Sequence, residues 1–463
     1  MSEPAPRSGL PWRVLELALL ARLAAAGAVE WYVRRKGPGS VRICLFPDAE
    51  YYWSLAQTIR AGTLYEVVEW GDIPHFALRT PGYPAFLAAC QTVLGDRPLG
   101  VRLAQAVLVA FSVWLVYRLS RTCVRACRAG EMPTGENQAP VRAIRRAPAV
   151  SIPVAAAFLA AVHPYFLLMS AVMLSEALFV FFMLLALWGQ AVLWNGPEAE
   201  LSRPRPVLRT GLIALGVGAT NGAAILTRPS WALFVPIMLA AWAWASLRAP
   251  GLTRRLRFAR TARIVVLVLT GLVLVMGPWW VRNARIFGRF VPTAIWLGAS
   301  LYDGLNPRAT GASGMSFLSE PDIWPLDELD QDRVLFSRAL DFVREHPRRT
   351  LELAVVKLGR YWSPWPSAEG FRSPVLAAGG TLFAVPLLAL IGLGLWCWRG
   401  DLRAWVLLSG PLFYFCALHL LFASSMRYRI PAEVPAMSLA AVGLSALTRR
   451  VGPALAREGG KEI

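Results

Sequence analysis

Two carboxylates stand two residues apart in Pro47-Asp48-Ala49-Glu50-Tyr51-Tyr52. A carboxylate at an apolar boundary is partly desolvated, and a group tuned that way can remove a proton from an alcohol or amine. Residues i and i+2 do not share a helix face, so the spacing fits a helix start, with Asp48 as cap and Glu50 in the first turn. On spacing alone Asp48 reads equally as a capping residue and as a general base. Leu78-Arg79-Thr80-Pro81-Gly82-Tyr83-Pro84 sets a guanidinium before a proline-stiffened turn. Arg79 there has the planar fork that grips a phosphate, or it reaches for lipid headgroups in the ordinary way.

Further charges stand where charge is costly. Glu176 lies inside a long apolar stretch, which makes it either a functional acid or half of a structural pair with a neighbouring arginine. Arg228 occupies the tight turn Thr227-Arg228-Pro229, and Arg282 emerges from Pro278-Trp279-Trp280-Val281-Arg282-Asn283. Arg427-Tyr428-Arg429-Ile430-Pro431 packs two arginines into a short connection between apolar runs, which calls for an anion or an acidic partner.

The elements that must position these residues are membrane helices. Of the 463 residues 56% are hydrophobic and 17% charged, with mean hydropathy +0.46, and the charges collect between apolar runs. Taking about 20 residues per span, helices are expected near 12–33, 98–118, 149–163, 165–194, 209–227, 229–248, 264–281, 374–398, 403–423 and 431–447. The expected fold is an all-α polytopic bundle of about ten transmembrane helices, a single domain over 1–463. Six arginines and no acid fill 248–263, and 118–146 is also basic. The positive-inside rule therefore puts both in the cytoplasm and leaves 34–97 and 282–373 outside, against the local vote of Arg34, Arg35 and Lys36. Short amphipathic helices are expected in both outer regions, at 51–61, 83–94, 332–345 and 350–362. Region 282–373, as the larger, is expected to recognise an acceptor.

Other classes are disfavoured. The formal net charge is +19, but its basic residues lie in separate loops, so anionic lipids rather than nucleic acid are the expected partners. The six cysteines are scattered and suggest no disulfide framework, and four histidines give poor support to a histidine metal site. The N-terminal apolar run carries Glu16 and Arg22 and reads as a retained span.

Taken in order, Asp48-Ala49-Glu50-Tyr51-Tyr52, Arg79-Thr80-Pro81-Gly82-Tyr83-Pro84, Leu174-Ser175-Glu176, Pro278-Trp279-Trp280-Val281-Arg282-Asn283, His346-Pro347 and Arg427-Tyr428-Arg429-Ile430-Pro431 resemble the polytopic C-superfamily glycosyltransferases that use polyprenyl-phosphate-linked sugars. Protein O-mannosyltransferases and bacterial aminoarabinose transferases are among these. Asp-Ala-Glu replaces the adjacent acids of the former, so the likeness is closer to the bacterial branch. The resemblance implies that Asp48 is catalytic with Glu50 as its motif partner, and that Arg79, Arg427 and Arg429 hold the donor phosphate. It places Glu176, Tyr83, Arg228 and Arg282 near the acceptor or behind the site. It also allows a divalent metal ion, for which Asp48 and Glu50 are the candidates; no other cofactor is expected. The implied partners are a lipid-borne sugar donor and a lipid, glycan or protein acceptor. The implied location is the cytoplasmic (inner) membrane with the site facing outward, and a single carboxylate base implies inversion, by loose analogy with glycosidases. A lipid-linked-sugar flippase and a non-catalytic envelope-assembly subunit are the competing readings.

Overall fold

A computed structural model describes residues 12–36, 46–68, 73–128, 151–195, 206–366 and 373–458. Cys44 and the basic stretch 129–146 lie outside the described residues. The regular structure of the described residues is helical, apart from one isolated antiparallel bridge between Val67 and His75. In chain order the helices are α1 (Trp12–Lys36), α2 (Pro47–Ala61), α3 (Gly82–Leu94), α4 (Pro98–Arg128), α5 (Ser151–Val162), α6 (Pro164–Ala171), α7 (Glu176–Trp194) and α8 (Pro206–Thr227). After a short turn at Pro229–Trp231 come α9 (Phe234–Arg248), α10 (Arg254–Phe287), α11 (Leu297–Gly304), α12 (Glu328–Glu345), α13 (Pro347–Trp362), α14 (Pro374–Cys397), α15 (Gly410–Leu421) and α16 (Met426–Glu458).

Seven of the described helical segments are long and apolar enough to cross a membrane, or eight if the bent pair α5 and α6 is one span. The protein is thus a multi-pass membrane protein. The expected ten differs by α1 and α15. α15 has only 12 residues. α1 carries charge in its middle, and the structure turns that charge inward. Arg22 donates to the carbonyls of Ala161 (3.2 Å) and Ala160 (3.1 Å) at the end of α5, and Glu30 pairs with Arg102 of α4. Arg22 and Glu30 are thereby matched by polar groups of neighbouring helices, while Glu16 stays exposed.

The apolar run expected as one helix over 165–194 is two. The chain unwinds after Ala171 and restarts at Glu176. Such a break leaves carbonyls without helical partners, and α4 supplies replacements. Gln105 Nε2 donates to Ser170 O (3.3 Å) and Val172 O (2.9 Å), and Arg102 Nε donates to Ala171 O (3.2 Å). No Pro or Gly marks this break; the groups that satisfy it lie on another helix. The boundary expected between spans 149–163 and 165–194 is a bend rather than a reversal: the ring of His163 caps α6 by accepting from Phe166 N–H, and α5 and α6 bend by 56°.

The two long connections meet. Ile295 N–H bonds to Ala77 O (2.9 Å), and the start of α12 reaches the same segment. Both amphipathic helices expected in the second connection form: α12 is capped by Asp327, which accepts from Leu329 and Asp330 N–H (2.9 Å each), and α13 starts at Pro347. Within the bundle, α8 and α10 cross backbone to backbone at Gly218 and Gly271. A Cβ on Gly271 would collide with the Leu215 carbonyl, and one on Gly218 with that of Val268. Small residues permit such crossings in lipid, where dispersion replaces the hydrophobic drive. Gly271→Leu should therefore destabilise the bundle by about 1–3 kcal/mol, seen as a lowered unfolding temperature in detergent, while Gly277→Leu, with open space around it, should not.

Candidate active site

Asp48 is not the cap of α2. Phe46 occupies the cap position in extended conformation, Pro47 opens the helix, and no side chain caps it. Proline has no N–H to satisfy and its φ suits the first turn, so the Asp48 carboxylate is not needed there. It turns instead towards two arginines from distant segments: Oδ1 lies 3.4 Å from Arg79 Nη2, and Oδ2 lies 3.9 Å from Arg427 Nη1. The side chain is 40% exposed, which leaves it open to a substrate. Arg79 spans from this carboxylate to the ring face of Tyr52, 5.5 Å from its centroid, one helical turn after Asp48. Burial raises the Tyr52 phenol above its ordinary value, helped by the negative charges of Asp48 and Glu176 and opposed by Arg79, so it stays protonated.

Glu176 forms the floor. It opens α7, where the helix dipole favours an acid, and its side chain is only 1% exposed. Oε1 accepts from Arg427 Nε at 2.7 Å and lies 3.2 Å from Arg228 Nη1. Oε2 is buried with no hydrogen-bond partner among the described residues. Arg228 also lies over the rings of Phe179 (5.9 Å) and Tyr428 (5.5 Å), and Tyr428 stacks on His419 at 4.2 Å. Two backbone devices bring these residues close. Gly82 packs against the end of α8, where a Cβ would stand 2.6 Å from Leu226 O, and this sets the Arg79 turn beside Arg228. From α13, Lys357 donates to Leu420 O (3.1 Å) and Leu421 O (2.7 Å), and Arg360 Nε donates to Ser424 O (3.0 Å). These bonds fix the connector that delivers Arg427.

Asp48, Arg79, Glu176, Arg228 and Arg427 are thus one cluster, assembled from five separate stretches of sequence. The other residues singled out in the sequence are not in it. Tyr83 stands behind, edge-on to Tyr52 (5.1 Å), with its hydroxyl on Gln105 Oε1 (2.6 Å). Arg282 is turned to the backbone of the first connection, donating to Phe76 O and Tyr65 O at 2.7 Å each. Arg429, expected to hold phosphate, points elsewhere: it bonds Glu433 (2.5 Å), Tyr361 O (2.7 Å) and Ser363 O (2.9 Å), and Glu433 in turn meets His163 Nε2 (3.1 Å). Two residues along a helix turn the side chain through roughly 200°, so Arg427 and Arg429 cannot face the same way. The same geometry separates Asp48 from the partly buried Glu50. Sequence reasoning gave no role to Tyr52, although its place four residues after Asp48 puts both on one helix face; Gln105 carried no signal.

No protein-family model matches the sequence, and neither does any curated protein sequence. Solved structures do. An oligosaccharyltransferase from Archaeoglobus fulgidus in its apo form aligns at 14% identity with TM-score 0.56, over 97% of this chain and 52% of that one. The AglB oligosaccharyltransferase from the same organism, in complex with an inhibitory peptide and a dolichol-phosphate, aligns at 15% identity with TM-score 0.52, over 98% and 52%. This chain shares the fold of the part of those enzymes that it covers. It spans about half the length of those archaeal enzymes. ArnT from Cupriavidus metallidurans bound to undecaprenyl phosphate also aligns, at 14% identity with TM-score 0.39, over 95% and 79%.

Within this helical bundle the cluster sets three guanidiniums against two carboxylates, a surplus of one positive charge. Such a centre suits an anion. A hard divalent cation needs several oxygen ligands. Here Asp48 turns both oxygens, and Glu176 its Oε1, towards arginines, and no group of three or more His, Cys, Asp or Glu side chains lies together among the described residues. As arranged, the donor set does not fit a divalent ion. Removing Glu176 would leave two arginines without their buried partner, so Glu176→Ala should cost about 3–5 kcal/mol, measured as a fall in thermal midpoint that added salt does not reproduce in the wild type.

Proposed function

We propose that this protein transfers a sugar from a polyprenyl-phosphate carrier to an acceptor at the extracytoplasmic face of the inner membrane. The observation that carries the reading is the exposed Asp48 carboxylate, set between Arg79 and Arg427 at the mouth of a positively charged cluster. The fold shared with an archaeal enzyme captured with dolichol-phosphate adds support for a lipid-phosphate partner. The orientation follows from the six arginines of 248–263, which favour the cytoplasm.

In this reading the carrier phosphate lies against Arg79 and Arg427, with Arg228 and Glu176 holding Arg427 in place. Asp48 takes the proton from an acceptor hydroxyl or amine as its oxygen or nitrogen attacks the anomeric carbon. The bond from that carbon to the phosphate oxygen breaks, and the electron pair leaves with the phosphate, where the guanidiniums stabilise the growing charge. One displacement inverts the anomeric centre and returns a free lipid phosphate.

The test is transfer of labelled sugar from a panel of polyprenyl-phosphate sugars in membranes holding equal amounts of wild type or variant. Asp48→Asn should lower the transfer rate by about 10²–10⁴-fold. Arg79→Lys, which keeps charge but loses the fork, should raise the donor KM by about tenfold with a smaller change in kcat. Equal transfer by wild type and Asp48→Asn would remove Asp48 from the chemistry. If no donor supports transfer while labelled lipid-linked sugar crosses the bilayer, the protein is a flippase.

A further inference from the structure

Arg79 lies at the end of a segment with little secondary structure of its own, yet its placement decides the cluster. Between α2 and α3 the described chain has only the Val67–His75 bridge, with N···O distances of 2.9 and 2.8 Å. The restraints come from the other long connection. Glu328, the first residue of α12, is 5% exposed, and its carboxylate accepts from Phe76 N–H (2.8 Å) and Ala77 N–H (3.0 Å). Arg282, near the end of α10, takes the carbonyls of Phe76 and Tyr65. Its guanidinium lies over Trp279 (4.8 Å) and Tyr65 (5.3 Å) and also meets Asn283 Oδ1 (2.8 Å). Tyr65 completes the connection by donating its hydroxyl to Arg79 O (3.0 Å). Phe76 is therefore held at both its N–H and its carbonyl, three residues before Arg79, while Gly82 is fixed against Leu226 three residues after it.

We propose that Glu328 and Arg282 form a clasp between the two long connections whose task is to position Arg79 on the donor phosphate. They are positioning residues, because neither contacts the cluster itself. The inference rests on the transfer reading for its substrate, though not for the clasp. It also gives the start of region 282–373 a part in holding the donor, where acceptor recognition was expected.

The chemistry of the clasp supplies a test that simple loss of structure would not mimic. A carboxylate accepts both amides, whereas a neutral acid keeps one oxygen as a hydroxyl donor. Burial pushes Glu328 up to about 7, against the pull of the Phe76 and Ala77 amides and Arg282, with Asp332 of its own helix adding to the rise. From the first connection, His75 stands beside this segment with its value lowered by burial, and so neutral. The sign follows: the clasp is complete above about pH 7 and loosens as pH falls through it.

The experiment uses the full chain in nanodiscs, with polyprenyl phosphate as the binding probe and transfer as the activity. Glu328→Gln should raise the donor KM by about tenfold, the scale of one charge-assisted hydrogen bond, with kcat and acceptor KM within about twofold of wild type. The wild type's donor kcat/KM should rise through pH 7, and Glu328→Gln should lose that rise. Glu352→Gln, on the exposed face of α13, serves as control. Amide exchange at Phe76 and Ala77 of the wild type, corrected for intrinsic rates, should slow from pH 6 to pH 8. That measurement needs no variant and no activity, so it stands even where Glu328→Gln fails to fold or no sugar is transferred. Exchange independent of pH, or Glu328→Gln with unchanged donor KM and lipid-phosphate affinity, overturns the clasp. Absence of transfer by wild type with pH-dependent exchange intact overturns only the transfer reading.

Discussion

A buried carboxylate needs partners, and at Glu176 that need organises the end of the bundle where the two long connections meet. The acid opens a membrane-spanning helix, and two arginines answer it, one from the turn after α8 and one from the start of α16. Stripping an ionised group of water costs several kcal/mol, recovered only by close counter-charges in good geometry. Every element that delivers those counter-charges is thereby constrained. α7 must start at Ser175-Glu176, α8 must end where Gly82 can touch it, and the connector into α16 must be pinned by Lys357 and Arg360.

The break between α6 and α7 shows the expense of that constraint and how it is met. Three carbonyls lose their helical partners, and Gln105 and Arg102 of α4 replace them. Gln105 also receives the hydroxyl of Tyr83, whose ring supports Tyr52 beneath Arg79. One polar residue near the start of α4 thus ties the helix break to the aromatic surface beneath Arg79. The charged end of the bundle is built on a polar layer just below it, and the apolar helices beneath carry that layer.

The two carboxylates play opposite parts for a reason visible in their exposure. Asp48 meets its arginines at 3.4 and 3.9 Å and remains open, so its charge is available to a substrate. Glu176 meets Arg427 at 2.7 Å and is closed, so its charge is spent on orientation. Arg427 touches both and links the closed floor to the open mouth.

Much was legible in the order of residues, because membrane helices announce themselves by composition and because charge in an apolar setting demands an explanation. The helical class, most spans, the turn at Arg228-Pro229 and a set of charged candidates that includes all five residues of the cluster could be read from the residues, whereas the turn expected at residue 164 is a bend and the chain reverses after Ala171 instead. What stayed hidden were relations between segments. Asp48 read equally as a cap and as a general base, since the preference of Asp for a cap position is local, whereas its charged partners lie 31 and 379 residues away. Arg429 looked equivalent to Arg427, since sequence distance does not show which side of the helix each faces until the packing of α16 is known. The helix break before Glu176 left no mark on its own residues, since the groups that satisfy its carbonyls, Gln105 and Arg102, lie on α4. Sequence by itself determined which residues could not be ordinary in a membrane; the tertiary structure alone decided which of them meet, because hydrogen bonds and ion pairs act over a few ångströms of space and are blind to separation along the chain.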